Sequence, residues 1–303
     1  MQENKTKHTA EKKQLSVVIP VYNEKGAIED TIKQVLDILA KAKIDHEVIL
    51  VNDGSTDGTG DLIRNSLKKL KGKNVRLLEH QYNRGYGAAL KTGIDAAKYG
   101  IVCITDADAT YPNERIPEML DVCIDGNYDM IVGKRPFKKL PLATKPAKWF
   151  LTKLASYLVN EKIGDINSGL RIMRKDVIKK FFHIISEGFS FTTTSTIALM
   201  SNGYRIYYLD IDYLKRKGKS KIHPIKDTIN FVQIIIRTVL YFNPLKVFVP
   251  ASLILLFAGL AIFLIGLPFG KHYNTTFLIF FVSSIQMLSI GLLADVIDKR
   301  MHS

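Results

Sequence analysis

Acidic residues are scarce in this sequence: 29 Asp and Glu stand against 43 Lys and Arg, a formal charge of +14. That imbalance asks for a negatively charged partner, whether nucleic acid, an anionic membrane surface or a phosphorylated substrate. No recognisable nucleic-acid module accompanies the charge, so no nucleic-acid partner is expected. Cysteine is nearly missing as well. Cys103 and Cys123 have no spacing suited to zinc and fall in a predicted buried strand and on a helix face. Both read as packing residues of a reducing compartment. The first residues carry no apolar core of signal-peptide type, so residues 1–13 read as a flexible basic tail, with the chain starting in the cytosol. Long apolar runs are absent before Asn243 and crowd the chain after it.

From Leu15 onward, short β-rich runs alternate with amphipathic stretches, the pattern of a parallel sheet with crossover helices. The expected strands are 15–20, 47–52, 75–79 and 101–105, with a further one at 130–133 and a strand-like stretch at 204–213. Helical periodicity fits 24–41, 59–70, 87–98 and 113–124. The fold class that follows is α/β and Rossmann-like.

The strand ends carry the chemistry. Ile101–Thr105 runs into Asp106-Ala107-Asp108, two carboxylates one residue apart at the carboxyl end of a strand, where ligands of open α/β sheets bind. A hard cation such as Mg2+ or Mn2+ between them and a phosphorylated ligand relieves their repulsion. Taken alone, the pattern is also what a solvated turn supplies. Ile19-Pro20-Val21-Tyr22-Asn23-Glu24 reads as a strand exit with Pro20 stopping the ladder and Asn23 capping a helix. Val51-Asn52-Asp53-Gly54-Ser55-Thr56-Asp57-Gly58-Thr59 reads as a tight turn before the next helix. Asn83-Arg84-Gly85-Tyr86-Gly87-Ala88-Ala89 would let a backbone or a diphosphate approach a helix N-terminus, but lacks the full dinucleotide fingerprint.

Taken together and in this order, those four motifs resemble family 2 glycosyltransferases of the GT-A fold over residues 15 to about 245. The resemblance implies a GT-A domain over 14–224 with a mainly parallel sheet. It implies that Pro20, Tyr22, Glu24, Val51 and Asp53 hold the base and ribose of a nucleotide diphosphate sugar, UDP- or GDP-linked. Asp106 and Asp108 would hold its diphosphate through Mg2+ or Mn2+, and Asp106 and Ala107 belong to the same nucleotide-sugar site. Gly133-Lys134-Arg135, Asp165-Ile166-Asn167-Ser168-Gly169-Leu170-Arg171 and Arg216-Lys217-Gly218-Lys219-Ser220-Lys221 narrow the likeness to the polyprenyl-phosphate sugar transferases. By that likeness Arg135 binds the acceptor phosphate. Ser168, Arg171, Arg174 and residues among Lys145, Lys148 and Thr152 are expected around it, with Arg216 and Lys221 closing on the donor phosphates. Two departures stand out: Thr110 occupies the place of a metal-binding Gln, and the helix at Phe191-Thr192-Thr193-Thr194-Ser195-Thr196 lacks the usual acidic residue.

No acidic residue lies between 134 and 153, where Trp149, Phe150, Leu151, Leu154 and Leu158 interleave with lysines at helical spacing. Such a helix can lie on a membrane. An amphipathic juxtamembrane helix is expected at 225–243, broken by Asn243-Pro244, and a transmembrane hairpin over 244–303. Its uncharged spans, 247–267 and 276–294, are long enough to cross a hydrocarbon layer of about 30 Å. Lys246, Arg237, Lys299 and Arg300 mark the cytoplasmic side, against Lys271 in the outer loop. The expectation is a two-helix cell-membrane protein with catalytic domain and both termini cytoplasmic. Two helices are too few to enclose a pathway, and are expected to anchor the chain and support a homo-oligomer.

The function implied is inverting transfer of a hexose from a nucleotide sugar to a membrane polyprenyl phosphate, dolichyl or undecaprenyl. A membrane glycosyltransferase with an alcohol acceptor and a non-catalytic scaffold or flipping component are the alternatives. Against a processive synthase, Trp149 follows Ala147-Lys148 and does not complete a Gln-x-x-Arg-Trp motif.

Overall fold

The structure, a computed structural model, describes residues 13–70, 74–136, 145–212, 224–269 and 273–301. Seven strands form one sheet: β1 Gln14–Val21, β2 Asp45–Asp53, β3 Val75–His80, β4 Ile101–Ile104, β5 Met130–Lys134, β6 Arg171–Arg174 and β7 Ile206–Asp210. Their spatial order is β3-β2-β1-β4-β6-β5-β7. Strands β1 to β4 run parallel, and β7 runs parallel to β5. Only β6 is antiparallel, to β4 on one side and β5 on the other. The carboxyl ends of β1, β2, β3, β4, β5 and β7 therefore share one edge, and β6 alone begins there.

Crossover helices cover both faces: α1 Ile28–Lys41, α2 Thr59–Lys69, α3 Tyr86–Ala96, α4 Ile116–Asp125, α5 Lys145–Val159, α6 Lys175–Lys180 and α7 Phe191–Ser201. Alternate residues of the strands fill two cores. Val17, Ile19, Leu50 and Cys103 pack under α1 and α4, whereas Val18, Ile49, Val51 and Ile104 pack under α3. Gly93 of α3 makes the second contact possible, because a Cβ there would overlap the side chain of Val18.

Pro20 does not stop β1, which pairs with β2 through Pro20↔Val51 and Val21↔Asn52. In a parallel strand, alternate residues point their polar groups to the same neighbour. Val18 accepts a bond from Thr105 N on the β4 side, so Pro20 faces that side too. The β1–β4 ladder ends at Val18↔Ile104, and the N–H that proline lacks has no partner to lose. Helix α1 starts at Ile28, later than its periodicity suggested. Asn23, in the left-handed region at φ 56°, accepts from Thr56 N at 2.8 Å instead of capping its own helix.

After β7, α8 Pro224–Phe242 packs Ile235 and Val239 against Leu151, Ala155 and Leu158 of α5 and Ile197 of α7. The apolar face of α5 is thus divided: Leu151 and Leu158 turn inward, while Trp149, Phe150 and Tyr157 stay exposed. The chain breaks at Asn243–Pro244 and continues as α9 Leu245–Gly266 and α10 Asn274–Met301. Both are long and apolar enough to cross a membrane. They pack antiparallel: Gly259 admits Phe280, Gly291 admits Phe248, and Ser284 Oγ donates to the Ser252 carbonyl at 2.9 Å.

Candidate active site

The turn after β4 holds the acid pair. Ala109 takes φ 55°, which lets the chain reverse directly after the strand. Asp108 Oδ1 accepts from Thr110 N at 3.2 Å and from Thr110 Oγ at 2.7 Å. Thr110 is buried and its hydroxyl donates to Asp108, so it orients that carboxylate. Asp106 Oδ1 accepts from Tyr86 Oη at 2.9 Å. Burial, and then the Asp106 carboxylate, push the Tyr86 phenol well above its ordinary value, so it is the donor in that bond. Gly169 lies against the same carboxylate, where a Cβ would stand 2.9 and 3.0 Å from its oxygens. Among the described residues no cluster of three or more His, Cys, Asp or Glu forms a metal cage. Two hard carboxylates with a glycine cradle behind one of them suit a Mg2+ or Mn2+ ion whose remaining ligands come from a diphosphate.

On the nucleotide side the structure separates two groups. Tyr22, 40% exposed, and Glu24, half-buried, lie beyond the end of β1 on the edge shared with Asp106. Pro20, Val51, Asp53 and Ala107 are buried. The Val51 side chain belongs to the core under α3, and the Ala107 carbonyl accepts from Thr31 Oγ at 3.0 Å. Asp53 accepts from His80 Nδ1 at 2.6 Å and from the backbone N–H of Arg84 and Gly85, each at 2.9 Å. Its carboxylate fastens the loop after β3. That loop also settles what its glycines admit. Ala88 N donates to the Glu187 carbonyl at 2.8 Å, so a backbone segment comes close to the α3 N-terminus.

The acceptor side is built by β5 and by the segment leading into β6. Because β6 runs backward, its start lies beside the end of β4, and the 165–170 loop arrives at Asp106. Arg135, just past β5, grips Asp165 through Nε at 2.8 Å and Nη2 at 3.0 Å; its side chain is 12% exposed and that of Asp165 1%. Arg171 is fully buried. Its guanidinium donates to the carbonyls of Ser168 and Ile166 and to Thr196 Oγ at 2.8 Å. Burial pushes it down to about 10, and it remains a cation at neutral pH. Arg171 therefore ties the 165–170 loop to α7 and presents no face to an acceptor. Arg174 is at the wrong end of the sheet, opposite Ile101, with Nη2 on Asn127 Oδ1 at 2.8 Å. The place of Arg174 has a plain cause: an arginine-flanked strand of four residues hid its direction from the sequence. Ser168 is buried, and its hydroxyl has no hydrogen-bond partner among the described residues. The Lys148 side chain, Arg216 and Lys221 lie outside the described residues.

Arg135 and Thr152 line one cavity of about 710 Å³ between β5 and α5, together with Lys134, Lys153, Trp149 and Tyr157. Sequence reasoning passed over Tyr86, His80 and Gly169. For Tyr86 the signal was a large polar ring inside a glycine-rich turn; for Gly169 it was a glycine next to an expected ligand; for His80 there was none.

Comparison with known proteins gives the family and the fold. Residues 16–182 match Glycosyl transferase family 2, and residues 243–299 match the family described as GtrB C-terminal hairpin. A dolichyl-phosphate hexose transferase of Haloferax volcanii is 30% identical, over 69% of this chain and 87% of that protein. An undecaprenyl-phosphate 4-deoxy-4-formamido-L-arabinose transferase of Aeromonas hydrophila is 29% identical, over 95% and 89%. A dodecaprenyl-phosphate galacturonate synthase of Rhizobium johnstonii is 27% identical, also over 95% and 89%. Among solved structures, glucosyl-3-phosphoglycerate synthase from Mycobacterium tuberculosis, in complex with Mn2+, UDP and phosphoglyceric acid, superposes with a TM-score of 0.59. That match has 17% identity and covers 75% of this chain and 78% of that one. It shows the shared fold.

Proposed function

This chain belongs to glycosyl transferase family 2, and from that premise we propose that it transfers a hexose from a nucleotide diphosphate sugar to a membrane polyprenyl phosphate. One observation carries the choice of acceptor: Arg135 and Thr152 share a cavity whose outer wall is α5, with Trp149 58% and Tyr157 60% exposed. Its inner rim is the sheet edge that bears Asp106. An ionic head beside the arginine and an apolar tail along the aromatics is the ligand such a cavity fits. The relatives named for dolichyl and undecaprenyl phosphate support the same acceptor class.

The steps follow from charge. Asp106 and Asp108 would hold a divalent cation, which neutralises the departing diphosphate as a Lewis acid. Tyr22 and Glu24 stand where the nucleoside would lie. A phosphate monoester, with its second pKa near about 6, is already largely a dianion at neutral pH, so its attack on the anomeric carbon needs no general base. Arg135, aimed by Asp165, offsets its repulsion from the donor phosphates. A single displacement inverts the anomeric centre. Lys246, at the start of α9, reaches the Tyr157 carbonyl at 3.4 Å and so brings α5 to the membrane end of the domain. With Lys299 also at that end of the hairpin, the catalytic domain faces the cytosol.

The test is label transfer into the organic phase, using the full chain in sealed vesicles with a panel of labelled nucleotide sugars and either polyprenyl phosphate or the free polyprenol. Transfer to the phosphate alone, from inside-out vesicles alone, and with a raised acceptor KM in Arg135→Ala, is expected. Transfer to the free alcohol would move the protein to the alcohol-acceptor class. Equal activity from right-side-out vesicles would overturn the orientation.

A further inference from the structure

Tyr86 has no role in the mechanism above, yet it is the side chain that holds one of the two acids. Its hydroxyl meets Asp106 Oδ1 at 2.9 Å. The ring is itself held. Phe189, 83% exposed, lies parallel to it, with centroids 6.1 Å apart and planes at 8°. The segment that carries Phe189 is fastened to the turn that carries Tyr86. Ala88 N donates to the Glu187 carbonyl, a Cβ on Gly85 would stand 2.7 Å from that oxygen, and a Cβ on Gly87 would overlap the Ser186 carbonyl. Gly169 closes on the Asp106 carboxylate so nearly that a Cβ there would stand 2.9 and 3.0 Å from its oxygens. A carboxylate has a broad χ2 well, so neighbours such as these decide which way its oxygens point. Partners of ligating carboxylates change metal affinity by about 10–100-fold.

We propose that Tyr86 is a positioning residue: its hydroxyl sets the rotation of the Asp106 carboxylate that meets the cation, and Phe189 with the 186–188 segment keeps Tyr86 in place. The proposal rests on Asp106 and Asp108 being the cation's ligands. It makes the exposed Phe189 part of the donor site's support, and it gives the glycines of the Asn83–Gly87 motif a purpose that requires no contact with phosphate.

The test uses the full chain in detergent, titrated with Mn2+ alone. Bound ion is read from the loss of the free Mn2+ electron paramagnetic resonance signal, and the melting temperature is followed in parallel. Tyr86→Phe keeps the ring and its stack and removes only the hydroxyl. It is expected to weaken Mn2+ binding roughly 10-fold and to raise the Mn2+ needed for half-maximal transfer by a similar factor. The KM for polyprenyl phosphate and the melting temperature are expected to stay unchanged. Phe189→Ala, which leaves the hydroxyl but frees the ring, falls between wild type and Tyr86→Phe. Asp108→Ala separates the layers of the argument. If Asp108→Ala loses Mn2+ while Tyr86→Phe binds it as wild type does, the role of Tyr86 is overturned and the cation site stands. If Asp108→Ala also binds Mn2+ normally, the cation site itself fails and Tyr86 with it. A Tyr86→Phe protein that melts early and loses acceptor and Mn2+ affinity alike assigns the residue to folding, which overturns the proposal.

Discussion

The Arg135–Asp165 pair is nearly dry, and that decides how it responds to mutation. Breaking a buried ion pair from one side leaves an uncompensated charge, at a cost of about 3–5 kcal/mol. Asp165→Ala is therefore expected to destabilise the protein by about 3 kcal/mol, since Arg135 can turn toward the cavity, and to weaken acceptor use as well. Denaturation in detergent, with acceptor KM measured alongside, checks both; an unchanged midpoint would show that the pair carries no stability. Residues of this kind were legible in the sequence by type but not by task. The shared edge of Asp106, Asp108, Tyr22 and Glu24 could be read from their places at strand ends, because strand direction fixes which edge they reach. The tasks of Asp53, Thr110 and Arg171 could not, because a polar residue in a motif has the same letter whether it faces a ligand or satisfies a buried backbone. Asp53 accepts from two backbone amides and His80, and only the folded loop reveals that.

Among the elements, β6 matters most. One antiparallel strand inserted between β4 and β5 turns the 165–170 loop toward the acid pair and sends Arg174 away from it. Four residues with arginine at both ends carry no period-2 signal, which is why the strand was not read from sequence while the long runs of β1 and β2 were. The α3 N-terminus is the second instructive element. Gly87 sits where the 186–188 backbone crosses, so Gly87→Ala must shift that backbone, at a cost of about 1–3 kcal/mol. It is expected to lower the melting temperature and, by displacing Phe189 and Tyr86, to raise the Mn2+ requirement. A variant with wild-type stability and metal dependence would show that the 186–188 segment is not fastened there.

At the scale of the whole molecule, a GT-A domain packs on helix α8, which leads through Asn243–Pro244 into the apolar helical pair. The charge of +14 then has a local meaning, since Lys134, Arg135 and Lys153 surround the cavity where a phosphate would arrive. Composition asked for an anionic partner, and hydropathy marked two helices long and apolar enough to cross a membrane. Neither could show that α5 divides its apolar residues between α8 and the outside, because helical periodicity gives a face but not its neighbour. The central claim is that a divalent cation on Asp106 and Asp108 lets two phosphate-bearing molecules meet at a sugar carbon. It is tested most directly by measuring label passing from nucleotide sugar into extractable polyprenyl phosphate, in wild type and in Asp108→Ala, with and without a chelator. The account predicts transfer by wild type that stops on chelation and returns with excess Mn2+, and none by Asp108→Ala under any condition. Transfer that survives the chelator, or that persists in Asp108→Ala, would contradict it.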